Sequence, residues 1–348
     1  MPEAADSCPT TTTKQYWQDL CLTAPTNWQE LQDAAILDPV VLHAILHSSM
    51  FRPQSRSRSP SRLHPEATPR VRPPPTLNDI LAGQVSVDLD VEHLTRLMDE
   101  EAAGVYSFPL FTTEFCHKLR TYLRSVLEED REHIETEAAE ATRSRSKESA
   151  GGTTGDDTGE TTPVRIPRSM VRDLDHCGLG WLNDLVFQLL IRPISQQLYN
   201  DDTPGDLDWR HGFVAAYAAS PTRTTPRQHL VPHTDDAEVT LNICLGDAHF
   251  TGGQVQVWGL RGDDEAAAEA TATTTTTSSI PASYRPKIGR ALIHAGRELH
   301  GVTPITSGDR YAYVIWTRSW QGIRAKTCPC CWLNRRRDTT CICGRRWN

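Results

Sequence analysis

His233-Thr234-Asp235 sets an imidazole and a carboxylate two residues apart. On a strand, residues i and i+2 project from the same face, so this pair can close on one metal ion. A third ligand has to come from a distant segment, and His300 is the candidate. Ten residues beyond it stands Arg310, which opens the aromatic and β-branched run Tyr311 to Thr317. Two histidines and one carboxylate on one face of a metal, with the opposite positions open, form the facial triad of non-haem Fe(II) centres.

The chain has thirteen histidines, so about one His-x-Asp arises by chance and the pair alone decides nothing. The weight comes from the order of the downstream segments: the alternating run Val239 to Leu245, the turn Gly252-Gly253, then His300 and Arg310. Arginine suits the deep end of such a pocket. Its guanidinium is permanently charged and its planar fork matches a carboxylate.

Here the residues carry a resemblance. Ala291 to His300 resembles the strand and turn that deliver the distal metal ligand in Fe(II)/2-oxoglutarate-dependent dioxygenases, in the branch that includes prolyl 4-hydroxylases and procollagen lysyl hydroxylases; Gly308-Asp309-Arg310-Tyr311 resembles the segment that delivers the co-substrate anchor there. The resemblance implies a mainly β fold with flanking helices, built on a double-stranded β-helix, or jelly roll. It implies Fe(II) held by His233, Asp235 and His300, with the far carboxylate of 2-oxoglutarate on Arg310 and dioxygen as the other co-substrate. Tyr217 would offer its hydroxyl to 2-oxoglutarate, as tyrosines upstream of the metal motif do in those enzymes; the other reading is a barrel-core tyrosine. Ascorbate is implied as the reductant that keeps the iron ferrous. The implied reaction is hydroxylation of a protein side chain, proline or lysine, with release of succinate and carbon dioxide.

Parity adds positions around this core. Thr240 and Asn242 share a face opposite Leu241 and Ile243, which suits either a pocket wall or solvent. Trp316 shares the face of Arg310 and suits a pocket wall or simply core. His294 and Arg297 read as structural. Two other functions fit parts of the pattern. Two histidines, an aspartate and a water also suit a hydrolytic zinc site, although a hydrolase has no need of the spacing from His300 to Arg310. An inactive barrel acting as a docking protein through its tail is the second.

The elements that must position these residues begin after a long preface. Residues 14–51 read as helical, with Thr26 or Asn27 capping a run from Trp28 and Asp38-Pro39 starting another, so residues 1–51 are expected to form a helical appendage. Residues 52–76, rich in arginine, serine and proline, are expected to be a disordered linker. The dioxygenase-like domain is expected over 77–325, with the barrel at about 205–320 and disordered loops at about 130–162 and 261–283. Within it, Val105 to Phe111 reads as a strand leading into a helix through Phe115, Leu119, Tyr122 and Val126, and Asn183 to Leu198 reads as one buried helix.

The tail, 326–348, holds five cysteines; Cys328, Cys331, Cys341 and Cys343 are the preferred ligands of a structural zinc clip, with Cys330 as an alternative to Cys331. Residues 1–20 lack the apolar run of a secretory signal, and no run approaches a membrane span, so a reducing location in cytoplasm or nucleus is expected. A net charge of -8 argues against general nucleic-acid affinity. The arginines at 335–337 and 345–346 leave a nucleic-acid or protein docking tail as the exception.

Overall fold

The computed structural model describes residues 22–47, 50–53, 76–89, 95–126, 171–199, 206–220, 227–246, 249–260 and 281–321. The arginine-serine linker beyond Pro53, the biased loop at 130–162 and the tail with Cys328, Cys331, Cys341 and Cys343 lie outside the described residues. The strands, in chain order, are β1 Met50–Pro53, β2 Val85–Asp88, β3 Asp99–Ala102, β4 Val105–Pro109, β5 Val171–Asp173, β6 Trp209–Ala218, β7 Leu230–His233 and β8 Val239–Cys244. They continue with β9 Thr251–Gly252, β10 Val255–Leu260, β11 Ala282–Tyr284, β12 Arg290–Ala295, β13 Glu298–Val302, β14 Ile305–Ser307 and β15 Asp309–Arg318.

Two antiparallel sheets face each other. The larger runs β3-β4-β12-β8-β15-β6-β5 and the smaller β11-β10-β13-β7. From β6 onward the chain alternates between them: β6, β8, β12 and β15 lie in the large sheet, and β7, β10, β11 and β13 in the small one. That alternation is the winding of a double-stranded β-helix, so the fold is a jelly roll.

Strand parity sorts the side chains. On β15, Tyr311, Tyr313 and Ile315 join Leu241 and Ile243 of β8 in the large core on the outer face of the sheet. Ala312 and Val314 join Phe213, Ala215 and Tyr217 of β6 in a second cluster between the sheets. Period-two alternation thus gives the large sheet two buried faces: helices cover the outer one, and the inner one looks into the barrel.

The outer cover starts with helix Trp28–Asp33, where the Asn27 side chain accepts from the Glu30 N–H. Helix Pro39–His47 comes next. Leu31, Leu37, Val41 and Ile45 from this region share one core with Phe108, Phe111 and Ile315 of the barrel. Helical residues 113–126 add Phe115, Leu119 and Tyr122 to the same core.

Three expectations need correcting. Helical character does not extend to residue 51, because Met50–Pro53 pairs as a strand with Val85–Asp88, a partner 32 to 38 residues away that local pattern cannot reveal. The biased loop ends earlier than 283, since Ala282 and Ser283 pair with Val257 and Gln256 on the edge of the small sheet. The buried helix starts at Gly180 and is not uniform: Gly180–Val186 and Arg192–Leu198 flank a π-turn at Phe187–Ile191. Pro193 sits just after that turn and has no N–H to close an α-type bond, which favours a local widening.

Candidate metal centre

His233 ends β7 and His300 lies in the middle of β13, and these two residues are register partners. Their rings stand 4.4 Å apart, centroid to centroid. Each Nδ1 lies 2.9 Å from a backbone carbonyl two residues upstream, Val231 for His233 and Glu298 for His300. With Nδ1 donating to those carbonyls, both Nε2 atoms keep their lone pairs and point inward as ligating nitrogens.

Asp235 is placed by a separate device. Its N–H donates to the Gly296 carbonyl at 2.8 Å, and the Gly296 N–H donates to the Glu238 carbonyl at 2.9 Å. Gly296 is there because a Cβ would lie 1.8 Å from the Ala237 carbonyl oxygen. The tight turn between β12 and β13 is thereby latched onto the segment that carries Asp235. Its carboxylate lies 3.4 Å from His233 Nε2 and 3.7 Å from His300 Nε2. One ligand atom from each of His233, Asp235 and His300 falls within 4.8 Å of the others, the only such group among the described residues.

The electrostatics keep this trio ready for a cation. Burial alone would raise the Asp235 carboxyl, but His300, the hydrogen bond from His233 and the Thr240 hydroxyl, which donates at 2.7 Å, bring it down to about 2. Burial lowers His300, and it also pushes the fully buried His294 behind it down to about 4. His233 goes the other way: burial opposes its protonation, and the adjacent Asp235 carboxylate outweighs that. A metal at this point competes with a proton at His233.

Arg310 is only 1% exposed. Its Nη1 donates to Gly253 O at 3.4 Å and its Nη2 to Asn242 Oδ1 at 3.5 Å, while Nε has no hydrogen-bond partner. No described carboxylate pairs with it. A buried cation without a counter-charge is costly, so the arrangement fits a ligand that brings a carboxylate. Tyr217 faces it, with the guanidinium carbon 5.5 Å from the ring centroid. Gly253 permits the approach: it has φ +65, and a Cβ there would lie 2.4 Å from Ile305 Cδ1 and 3.4 Å from Arg310 Cδ.

A cavity of about 290 Å³ joins these groups, bordered by His233, Asp235, His300, Tyr217, Asn242 and Thr240. That is near the lower end of the roughly 300–1,000 Å³ usual for small-molecule sites. Trp316 also lines it, so it, Thr240 and Asn242 take the pocket reading of their parity. Arg310 touches the cavity wall through Asn242 and Tyr217. His294 sits behind His300, ring centroids 4.6 Å apart, and both His294 and Arg297 are buried.

Sequence reasoning missed His211, Arg227, Leu230, Val255 and Val302, which also border the cavity. His211 was within reach, since it shares parity with Phe213 and Tyr217 on β6. Arg227 was not: it arrives through its carbonyl, which accepts from Ala218 N at 2.9 Å.

No family model matches the chain. Against characterised sequences, it is 28% identical over 254 residues to the human 2-oxoglutarate and iron-dependent oxygenase domain-containing protein 2, covering 71% of this chain and 58% of that protein. It is 36% identical over 147 residues to the Arabidopsis thaliana 2-oxoglutarate and iron-dependent oxygenase domain-containing protein CP2, covering 42% of this chain and 34% of that one. The chain is a relative of these oxygenase-domain proteins. It spans little more than half the length of the human relative. Among solved structures, a Pseudomonas putida prolyl-4-hydroxylase overlaps 62% of this chain and 87% of its own, at 15% identity and a TM-score of 0.33. An overlap that loose carries no argument, and the jelly roll rests on the strand order instead.

Proposed function

We propose that this chain is an Fe(II)- and 2-oxoglutarate-dependent oxygenase that hydroxylates a protein side chain, proline or lysine, releasing succinate and carbon dioxide. The observation that carries the reading is the His233, Asp235 and His300 cluster on one cavity, with the buried Arg310, which meets no carboxylate among the described residues, directly behind the lining residues Asn242 and Tyr217. The names of the relatives point the same way. His233 Nε2, His300 Nε2 and an Asp235 oxygen would hold the iron, which when bound supplies the activation of dioxygen that organic side chains cannot.

The chain's own residues divide the remaining work. Arg310 would take the far carboxylate of 2-oxoglutarate as a charge-assisted pair, with Asn242 fixing the guanidinium and Tyr217 walling the same end. Thr240 holds Asp235 in its ligating orientation. Val255, Val302, Val314 and Phe213 line the cavity with apolar surface that excludes water from the reacting groups. Ascorbate would serve as the external reductant.

The test is succinate formation from 2-oxoglutarate with Fe(II) and ascorbate under air. Wild-type protein forms succinate, and Arg310→Ala and His300→Ala do not. Ester or amide hydrolysis that depends on zinc and survives Arg310→Ala would replace this reading with the hydrolytic one.

A further inference from the structure

Two arginines serve the cavity, and the proposed reaction uses one of them. Arg310 stands behind Asn242 and Tyr217, whereas Arg227 borders the cavity itself. The backbone that carries Arg227 is pinned. Its carbonyl accepts from the Ala218 N–H at 2.9 Å, and the carbonyl of the next residue, Gln228, accepts from the Ile305 N–H at 2.9 Å. Gln228 Nε2 donates in turn to the carbonyls of Ile305 at 3.1 Å and Ala219 at 3.3 Å. Arg227 is therefore half-buried and held where β6 meets β14.

Its guanidinium is left without a partner. No hydrogen bond or ion pair engages it among the described residues. The wall beside it is apolar: Leu230 and Val302, which are register partners, and Val255 border the same cavity. Its positive charge reaches as far as His233 and opposes protonation of that ring. When the site is filled, the charges of Fe(II) and Arg310 are balanced by Asp235 and a doubly charged 2-oxoglutarate. The co-substrate has no charge left for Arg227, because its near carboxylate goes to the metal and its far one to Arg310. His211, another ionisable group on the wall, already meets Asp173 at 3.5 Å. Arg227 is thus the one uncompensated cation among the described lining residues, and a half-buried cation on an apolar wall is stabilised by an anion that arrives with the substrate.

We propose that Arg227 selects the substrate by pairing with an anionic group, a carboxylate or phosphorylated side chain that lies beside the residue to be oxidised. The proposal deepens the oxygenase reading and rests on it for the charge balance. A guanidinium suits the task, since its planar fork takes a carboxylate or a phosphate through two parallel hydrogen bonds. The net charge of -8 repels acidic partners at long range. Arg227 therefore acts as a local selector and not as part of a basic surface, and nucleic acid, whose affinity is built from many phosphate contacts, is a poor fit.

The experiment uses the full chain loaded with Mn(II) and 2-oxoglutarate, so that no turnover occurs. The probes are fluorescent peptide mixtures with lysine or proline at the centre and glutamate, phosphoserine, glutamine or lysine fixed beside it. The glutamate and phosphoserine mixtures should bind about tenfold tighter than the glutamine mixture, the worth of one charge-assisted pair. Arg227→Gln should erase that preference, and Arg227→Glu should turn it towards the lysine mixture, an inversion that a merely structural role would not produce. A preference that survives Arg227→Glu would overturn the proposal. So would displacement of the peptides by inorganic phosphate or free glutamate at similar concentrations, which would mark a small-anion site. A fall in 2-oxoglutarate affinity of about tenfold or more in Arg227→Gln would also overturn it, by making Arg227 part of the co-substrate site. Bound Mn(II) is counted on the same samples. An Arg227-dependent preference in a chain that holds no Mn(II) refutes the oxygenase reading alone. A chain that holds Mn(II) and 2-oxoglutarate but ignores the mixtures, or ranks them equally, refutes the role of Arg227 alone.

Discussion

Replacing Arg310 by alanine removes a guanidinium that donates to one backbone carbonyl and one amide oxygen and meets no carboxylate among the described residues. Losing one side of a buried charge pair costs roughly 3–5 kcal/mol, so 2-oxoglutarate affinity should fall by about a hundredfold or more. Mn(II) affinity should barely change, because Arg310 touches none of the three ligands; calorimetry with each titrant separates the two effects. Thr240→Val deletes the hydroxyl on Asp235 Oδ2 while keeping the volume, and metal binding should weaken by about 10–100-fold. His294 gives a pH signature in the metal-free protein. Burial holds it at about 4 against roughly 6.5 when unfolded. Between those values the unfolded chain takes up a proton that the folded one refuses, so stability is full above about pH 6.5 and falls as pH drops towards 4. Urea unfolding should show a loss of about 2 kcal/mol from pH 7 to pH 5, and His294→Gln should flatten that slope. Asp235 acts in a lower window: its folded value near 2 makes its contribution vanish only as pH falls from about 3.8 to 2.

Between residues and fold stand the turn and strand pairings that carry the ligands, and this is where the sequence was partly readable. The His233, Asp235 and His300 set was visible because ligand type, i and i+2 spacing and a downstream arginine are local signals. Thr240, Asn242 and Trp316 were visible as a choice of two faces, since period-two alternation fixes a face but not which side is the pocket. His211 was within reach through its shared parity with Tyr217 on β6, whereas Arg227 was hidden, because its place depends on how sheets and loops close around the cavity. The β1/β2 pairing was hidden for the same reason: strand partners far apart leave no mark on either segment. Gly296 was covered only by the resemblance of Ala291 to His300 to a strand and turn, whereas its close approach to Ala237 is what sets Asp235 against His300. Gly296→Ala forces that contact apart and should cost about 1–3 kcal/mol of stability. Metal affinity should fall with it, whereas Gly104→Ala, where a Cβ would meet nothing within 4 Å, should leave metal binding unchanged.

At the scale of the molecule, the first two described helices and the barrel share one hydrophobic core rather than two. Leu31 and Ile45 are as fully buried as Ile315, and all three belong to the same cluster. Leu31→Ala should therefore cost about 2–5 kcal/mol, and it should lower the midpoint of the same denaturant transition that releases the metal. Two separate transitions would instead mark an independent N-terminal unit. No helix among the described residues is long and apolar enough to cross a membrane. On the proposed reading, one cavity holds iron through His233, Asp235 and His300 and holds 2-oxoglutarate through Arg310. The most direct measurement is an anaerobic titration with Fe(II) and then 2-oxoglutarate, following the visible charge-transfer absorption of the chelated complex. The expected band saturates at one equivalent in the wild type, is absent in His300→Ala, and in Arg310→Ala requires far more 2-oxoglutarate. No band in folded wild-type protein, or one that is indifferent to both substitutions, would contradict that reading.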